Sequence, residues 1–203
     1  MKPVPDDLPE LLVPDAAAWR AWLQENHDSS RGVWLVLHKK GGEITTLDYE
    51  QSVCEALCFG WIDGQAAKRD DQSSLQRMTP RGPRSRWSAR NVTYVARLEA
   101  ENRMHEAGRA AVRAAQADGR WEQAYEGSAK ATVPPDLAEA IAANPRAQAM
   151  FEVLTSANRY ALIYRLDAVK RAETRTRKIA QFVDMLARHE TPYPQKRMPP
   201  DDT

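Results

Sequence analysis

The apolar positions change from helical to strand-like spacing within the first forty residues. After Asp15, a candidate N-cap, Trp19 and Leu23 recur at the spacing of one helix face. The run Val33–Leu37 is continuously apolar, which is typical of a strand that is buried on both faces. We therefore predict a helix from residue 16 through Asn26, followed by a buried strand.

Further elements are predicted from apolar stripes and from capping or breaking residues at their ends. They are a helix beginning at Thr46 and ending near Gly60, a short strand and turn at 61–64, a strand at 76–79 closed by Pro80, a helix from Ser88 or Asn91 to about Ala100, and a helix from about Met104 to Asp118. These elements predict a small sheet with packed helices.

The composition changes beyond Gly127, where amphipathic helical patterns follow one another. Asn144-Pro145 is typical of a helix start because Pro is tolerated at the first helical position. Amphipathic helices are predicted near 158–171 and 174–189. The predicted class is α+β, with a body followed by an all-helical C-terminal unit. The predicted parts are an arm at 1–14, the body at 15–127, a linker at 128–133, the helical unit at 134–191 and a polar tail at 192–203.

The charges nearly cancel, with 29 Lys and Arg against 28 Asp and Glu, and this balance excludes a globally basic nucleic-acid-binding protein. The first residues contain no apolar run of signal-peptide length, and no 18-residue apolar segment follows. We therefore expect a cytoplasmic protein without a membrane span. Cys54 and Cys58 are interpreted as small buried residues, with a redox or metal pair as the alternative. The four histidines show no metal-ligand spacing, so no metal site is predicted.

One segment departs from the overall charge balance. Between Lys68 and Arg90 there are seven basic residues and two acidic ones, a local net charge of +5. Arg81, Arg84 and Arg86 lie in a Pro- and Gly-containing loop, and guanidinium groups suit carboxylate or phosphate. Three interpretations remain open: ion pairing with nearby carboxylates, binding of a small ligand, and binding of nucleic acid.

Two other features bear on chemistry. Asp63, between Trp61 and Gly64, is either a buried carboxylate with a raised pKa or the first residue of an Asx-type turn. The stretch Arg165–Lys178 holds six basic and two acidic residues, which indicates a solvated helix face or a nucleic-acid contact. No nucleophile elbow, phosphate-binding loop or dinucleotide fingerprint is present, so no cofactor is predicted.

Several motifs together resemble one family. They are GVWLVLHKK, LCFGWIDG, QRMTPRGPRSRWSARN, RMHEAGRAAVRAAQADGRWEQAY and ETRTRKI. From about Trp19 to Leu186 the chain is similar to the YdeI/OmpD-associated, or bacteriocin-protection, family. It departs from the family pattern at Arg81-Gly82, where an Arg-Arg pair is common, and at Met104-His105, where a Pro is common after the Met. The resemblance implies a role in protection against bacteriocins or cationic peptides, and it brings no established reaction.

The first hypothesis is a stress or protection protein that binds a small anionic or aromatic ligand. The candidate ligand-binding residues are Trp61, Arg77, Arg81, Arg84, Arg86, Trp87 and Asn91. The second hypothesis is an enzyme that uses Asp63 as a general base, with Arg groups stabilising an oxyanion. The third is a nucleic-acid or protein-partner module, against which the near-neutral net charge argues. The oligomeric state is left open.

Overall fold

A small sheet covered by helices forms the first part of the chain, and helices alone form the rest. The structure, a computed structural model, describes residues 8–127 and 131–200. The chain divides into two units, unit 1 at Met1–Tyr125 and unit 2 at Glu126–Thr203. The predicted α+β class with a helical C-terminal part is confirmed. Residues 1–7 of the predicted arm, 128–130 of the predicted linker and 201–203 of the predicted tail lie outside the described residues.

The described part of unit 1 alternates strands and helices. Its elements are β1 (Glu10–Leu11), α1 (Ala16–Asn26), β2 (Val33–His38), α2 (Tyr49–Cys58), β3 (Trp61–Lys68), β4 (Ser73–Pro80), α3 (Ala89–Ala100) and α4 (Glu106–Ala117). The strands form one sheet in the order β1-β2-β4-β3. β1 is parallel to β2, whereas the other two pairings are antiparallel. The segment expected as a surface arm therefore contributes an edge strand.

Local capping explains where the first two helices begin. The Asp15 side chain accepts a hydrogen bond from the Ala18 N–H at 2.8 Å, which confirms the predicted cap of α1. The predicted cap of α2 at Thr46 is wrong, because the Thr46 hydroxyl donates to the Pro14 carbonyl instead. Asp48 caps α2 and forms a reciprocal capping box with Gln51.

The predicted buried strand is confirmed as β2, whose side chains pack on both faces of the sheet. Leu35 joins the main core under the helices, and Trp34 joins a smaller cluster on the opposite face. In the main core, the rings of Trp19 and Trp22 both meet the Trp61 ring edge to face, with centroids 6.2 and 5.7 Å away. This aromatic group fixes α1 against the start of β3.

The turn predicted at 61–64 is wrong, because β3 continues to Lys68 and pairs with β4. The register shifts between Asp63 and Ala66, so the strand contains an irregularity where the turn was expected. The predicted strand at 76–79 is confirmed within the longer β4. Gly64 thus adapts the backbone inside a strand pair and does not end the strand.

Unit 2 packs four helices in the described residues around an apolar core. They are α5 (Pro135–Ala142), α6 (Pro145–Glu152), α7 (Ser156–Asp167) and α8 (Ala172–Ala187). The core includes Leu137, Ile141, Leu162, Phe182 and Leu186. The predicted start of α6 is confirmed, since the Asn144 side chain accepts from the Ala147 N–H at 3.1 Å.

The basic stretch Arg165–Lys178 does not form one helix. α7 ends at Asp167 and α8 begins at Ala172, so the basic residues are divided between two helices and the turn between them. Arg175 is paired with Asp136 through Nε, at 2.6 Å. This division agrees with the two helices predicted near 158–171 and 174–189, and a nucleic-acid contact in this region stays a hypothesis.

Candidate anion-binding site

The loop between β4 and α3 carries the arginines that the sequence singles out. It is anchored at its start by the Arg81 N–H, which donates to the Gly60 carbonyl at 3.0 Å. Within the loop the Ser85 N–H donates to the Gly82 carbonyl, and the Gly82 N–H donates to the Ser85 hydroxyl, each at 3.0 Å. Ser88 ends the loop as the N-cap of α3. The loop is therefore a compact turn that is hydrogen-bonded at its start and within itself.

Arg81 has an incompletely satisfied guanidinium. Its Cζ lies 3.6 Å from the centroid of the Trp87 ring, and Nη1 donates to the Arg86 carbonyl at 3.1 Å. Nε and Nη2 are shielded from solvent and have no hydrogen-bond partner in the described part of the chain. Burial lowers the pKa of Arg81 to about 10, and the negative charge of Asp63 offsets only part of that effect. A buried cation with unpaired donors is energetically unfavourable.

The two unpaired donors of Arg81 are on the same edge of the guanidinium plane. The Nε–H and one Nη2–H point in nearly parallel directions, which is the arrangement that binds a carboxylate or a phosphate through two oxygens. A single acceptor oxygen can accept from both only through bent hydrogen bonds, whereas two oxygens each accept one nearly linear hydrogen bond. The arrangement therefore suits an oxyanion better than a lone carbonyl or hydroxyl group.

Trp87 supports Arg81 and is not open to a ligand. The Trp87 ring is buried and lies under the Arg81 guanidinium, and its centroid is 4.8 Å from that of Trp121 in an edge-to-face contact. Trp87 was among the candidate ligand-binding residues. The structure instead gives it a supporting role beneath the cation.

Tyr125 and Arg120 approach the loop from the end of unit 1 and were not among the predicted site residues. The Arg86 guanidinium lies over the Tyr125 ring, with Cζ 4.9 Å from the centroid. The main chain of Tyr125 pairs with the loop, because its N–H donates to the Trp87 carbonyl at 3.0 Å. Arg120 Nη1 donates to the Ser85 carbonyl at 2.9 Å. The signal available in the sequence was the aromatic DGRWEQAY motif that includes both residues.

Asp63 is neither a turn cap nor a fully buried carboxylate. Its Oδ2 accepts a hydrogen bond of 2.7 Å from the hydroxyl of Tyr49, an exposed residue at the start of α2. Loss of solvent around the hydroxyl, together with the Asp63 charge, raises the pKa of Tyr49. The negative charge of Asp63 also acts on Arg81. Asp63 is therefore a negative charge that acts on Arg81, and the hydrogen-bond partner of Asp63 is Tyr49.

The carboxylates expected to pair with the loop arginines have other partners. Glu55 is buried and pairs with Arg20 at 2.8 Å and with Arg103. Asp70 pairs with Arg69 at 2.8 Å. The remaining neighbouring acid, Asp71, pairs with Lys68 at 3.1 Å. Internal ion pairing thus accounts for basic residues elsewhere in unit 1 and does not account for Arg81.

Four of the seven predicted ligand-binding residues lie apart from the Arg81 guanidinium edge or face elsewhere. Trp61 is a core residue whose indole N–H donates to the His27 carbonyl at 3.1 Å. Arg77 is opposite Trp34 in the register of β4 and β2. Its side chain is on the sheet face opposite the main core, because neighbouring side chains of a strand alternate and Met78 points into that core. Arg84 is exposed, and Asn91 is buried in the first turn of α3.

The structure brings a smaller group together. We call it the Arg81 cluster, and its members are Asp63, Arg81, Arg86, Trp87 and Tyr125. Arg81 provides the open donors, Trp87 and Tyr125 provide ring faces for the two cations, and Asp63 is the neighbouring negative charge. The arrangement is suited to holding an oxyanion.

Both cysteines are buried, as the sequence predicts. Cys54 and Cys58 are both buried free thiols, and burial raises the pKa of each. The Arg97 guanidinium contacts Cys54 Sγ at 3.2 Å. Within residues 8–127 and 131–200, no three His, Cys, Asp or Glu side chains are grouped in a way that could hold a metal ion.

None of the helices in the described residues has the length and apolar character needed to cross a membrane.

Two family models match different parts of the chain. Residues 11–111 match "Domain of unknown function (DUF8412)", and residues 130–189 match "Bacteriocin-protection, YdeI or OmpD-Associated". The resemblance to the latter family is confirmed over residues 130–189, which include the ETRTRKI motif. The LCFGWIDG and QRMTPRGPRSRWSARN motifs lie instead in the segment that the first model matches. No curated protein and no solved structure matches the chain.

Proposed function

We propose that this chain, whose residues 130–189 match the YdeI/OmpD-associated, bacteriocin-protection family, contributes to such protection by binding a small oxyanion ligand in unit 1. The ligand is a carboxylate or phosphate compound, and the Arg81 cluster is its binding site. The two buried free thiols support a location in the reducing cytoplasm, where unpaired cysteines persist.

The observation that carries the proposal is the pair of unpaired donors on Arg81. Leaving a buried charged donor without an acceptor costs about 1–3 kcal/mol or more, so folded proteins rarely retain such a group without a use. An oxyanion bound side-on to Nε and Nη2 removes this penalty and neutralises the buried cation. An oxyanion would therefore gain binding free energy at the Nε and Nη2 donors of Arg81.

Access to the site requires the loop to move, because Nε and Nη2 are shielded from solvent. Residues 82–84 are exposed, and the hydrogen bonds of Ser85 to Gly82 and to Arg120 are the contacts that must rearrange. We infer that displacement of this short turn gives a ligand access to Arg81, while Trp87 remains in the core. Ligand binding is thus coupled to a local opening of the loop.

The test is a stability and binding measurement with phosphate, acetate and benzoate as probes. All six tryptophans lie between Trp19 and Trp121, so tryptophan fluorescence reports unfolding of unit 1 alone. A ligand at about one hundred times its dissociation constant should raise the free energy of unfolding by about 2.7 kcal/mol. Arg81→Met should abolish this stabilisation, and Arg84→Met, at an exposed position of the same loop, should retain it.

Two results would contradict the proposal. One is the absence of saturable stabilisation by any of the three anions at constant ionic strength. The other is stabilisation that persists undiminished in Arg81→Met, since that would locate the anion elsewhere in the chain. Constant ionic strength is needed because general salt effects act on every exposed charge.

A second candidate function, hydrolysis with Asp63 as general base, is supported by the hydrogen bond between Tyr49 and Asp63. The hydroxyl and the carboxylate are 2.7 Å apart, and Asp63 acts electrostatically on Arg81, which would stabilise a developing oxyanion. The test is turnover of p-nitrophenyl acetate and p-nitrophenyl phosphate. Activity that Asp63→Asn abolishes would support this function, and equal rates in the two proteins would exclude Asp63 as the base for these esters.

A further inference from the structure

Unit 2 contains a half-open cavity at the start of α7. Its volume is about 280 Å³, and its lining is divided equally between polar and apolar residues. The lining residues are Ala131, Leu154, Ser156, Arg159, Tyr160 and Ile163. The cavity is at the lower end of the size range of small-molecule sites, so it suits a ligand of about ten non-hydrogen atoms.

Arg159 supplies the charge in this cavity. Its guanidinium lies over the Phe151 ring at 4.9 Å, and Nη2 donates to the Phe151 carbonyl at 3.3 Å. Nε is shielded from solvent and has no hydrogen-bond partner among the described residues, and none of their carboxylates forms an ion pair with this side chain. The cation is held in place by one long hydrogen bond and a ring face, and its charge has no counterion in the part of the chain that the structure describes.

The first turn of α7 adds further donors next to Arg159. Thr155 caps the helix by accepting from the Asn158 N–H at 3.2 Å, and its carbonyl accepts from the Arg159 N–H. The first N–H groups of a helix have no acceptor within the helix, and Ser156, the first residue of α7, lines the cavity. The positive end of the helix dipole therefore reinforces the field of Arg159 on an anion.

The other side of the cavity is apolar. Leu154 and Ile163 are buried residues that present hydrocarbon to the cavity, and Ala131 adds a methyl group. A phosphate or sulfate ion would leave this surface without a partner. A carboxylate attached to a small aliphatic or aromatic body would satisfy both halves.

We propose that this cavity of unit 2 binds a small hydrophobic monocarboxylate, with the carboxylate on Arg159 and the first turn of α7, and the hydrocarbon on Leu154 and Ile163. The lining residues of this site all belong to unit 2, and the proposal does not rest on the proposed function of the Arg81 cluster. It assigns to the segment that matches the bacteriocin-protection family a ligand class of its own.

The experiment uses the full-length protein labelled with ¹⁵N and benzoate as the probe. Benzoate has about nine non-hydrogen atoms, so a dissociation constant on the order of 1 mM is expected. We expect saturable shifts of the Arg159 Nε–H resonance and of the main-chain N–H resonances at 156–157. Benzamide, the neutral analogue, should bind at least about tenfold more weakly because it lacks the charge.

Matched variants separate this site from others. Arg159→Met should weaken benzoate binding at least about tenfold, whereas Arg177→Met, which removes an exposed arginine of α8, should leave it unchanged. Ser156→Asp places a negative charge where it favours the helix start, so the variant should fold and yet repel the carboxylate. Arg81→Met should leave the unit 2 shifts intact, which distinguishes this proposal from the one for unit 1.

The proposal is overturned if the Arg159 Nε–H resonance does not shift saturably with benzoate, or if Ser156→Asp binds benzoate as well as the wild type. Equal binding of benzamide and benzoate would refute the anionic class. Equal binding of inorganic phosphate and benzoate would refute the hydrophobic part of the ligand.

Discussion

Replacing Arg81 by methionine distinguishes a ligand site from an internal ion-pair network. If Arg81 were paired with a buried carboxylate, removing it would leave that carboxylate uncompensated and cost about 3–5 kcal/mol. In the structure the guanidinium has no such partner, and its pKa of about 10 corresponds to a penalty of about 3 kcal/mol on the cation. Methionine keeps an apolar stem against Trp87 and removes the charge.

The expected change in stability follows from the contacts that the substitution removes. The cation–π contact with Trp87 contributes about 1–2 kcal/mol, and the hydrogen bond to the Arg86 carbonyl contributes about 1.5 kcal/mol. Their loss nearly offsets the relief of the desolvation penalty. We therefore expect Arg81→Met to change the free energy of unfolding of unit 1 by less than about 1 kcal/mol.

Arg103→Met is the matched control for this measurement. Arg103 is a partly exposed arginine of unit 1 whose partner, Glu55, is buried, and Arg20 is the other cation on that carboxylate. Because one partner remains, its removal should cost about 2 kcal/mol. Urea unfolding followed by tryptophan fluorescence provides both values. A loss in Arg81→Met as large as that in Arg103→Met would refute the assignment of Arg81 as an unpaired cation.

Three further predictions concern the stability of unit 1 and the attachment of the segment after α8 in unit 2. Gly108→Ala would place a Cβ 2.2 Å from the Cys58 carbonyl oxygen, so it should destabilise unit 1 by at least about 2 kcal/mol in urea unfolding. In the control Gly82→Ala, the added Cβ meets no atom closer than 3.9 Å, so the free energy of unfolding should change little. Glu55→Gln removes a buried charge shared by two arginines and should lower the unfolding free energy by about 2–4 kcal/mol in the same assay. Asn158→Ala removes a fully buried amide that binds the chain after α8, so limited proteolysis should cut that segment faster than in the wild type.

Local signals were sufficient to predict much of the fold. Asp15 caps α1 and Asn144 caps α6 as expected, because each cap depends on an N–H group only three residues away. Thr46 is not the cap because its hydroxyl donates to the Pro14 carbonyl, 32 residues earlier. The residue type at position 46 alone does not predict a contact with so distant a residue. Alternation within β4 could have excluded Arg77, since Met78 in the core requires its neighbour to point to the other face.

The sequence was sufficient to predict which loop carries the candidate site, and it was not sufficient to predict all of the residues that form it. The excess of positive charge and the Pro and Gly residues identified the loop containing Arg81 and Arg86. The sequence did not indicate that Tyr125 would return to that loop, because the pairing of its main chain with Trp87 joins residues 38 positions apart. The partners of Glu55 were equally hidden, since they come from helices and loops far along the chain.

The contrast between Glu55 and Arg81 is the strongest physical argument for a ligand. Both are charged groups removed from water in unit 1, and the chain contains nearly equal numbers of positive and negative residues. Glu55 has two arginine partners, whereas Arg81 has no carboxylate partner in the described residues although Asp63 is close enough to influence its pKa. A fold that can bring two cations from 35 and 48 residues away to one buried acid is able to neutralise a buried charge. In the proposed function, an acceptor supplied from outside the chain would fill the side-on edge of Arg81, which has no partner among the described residues.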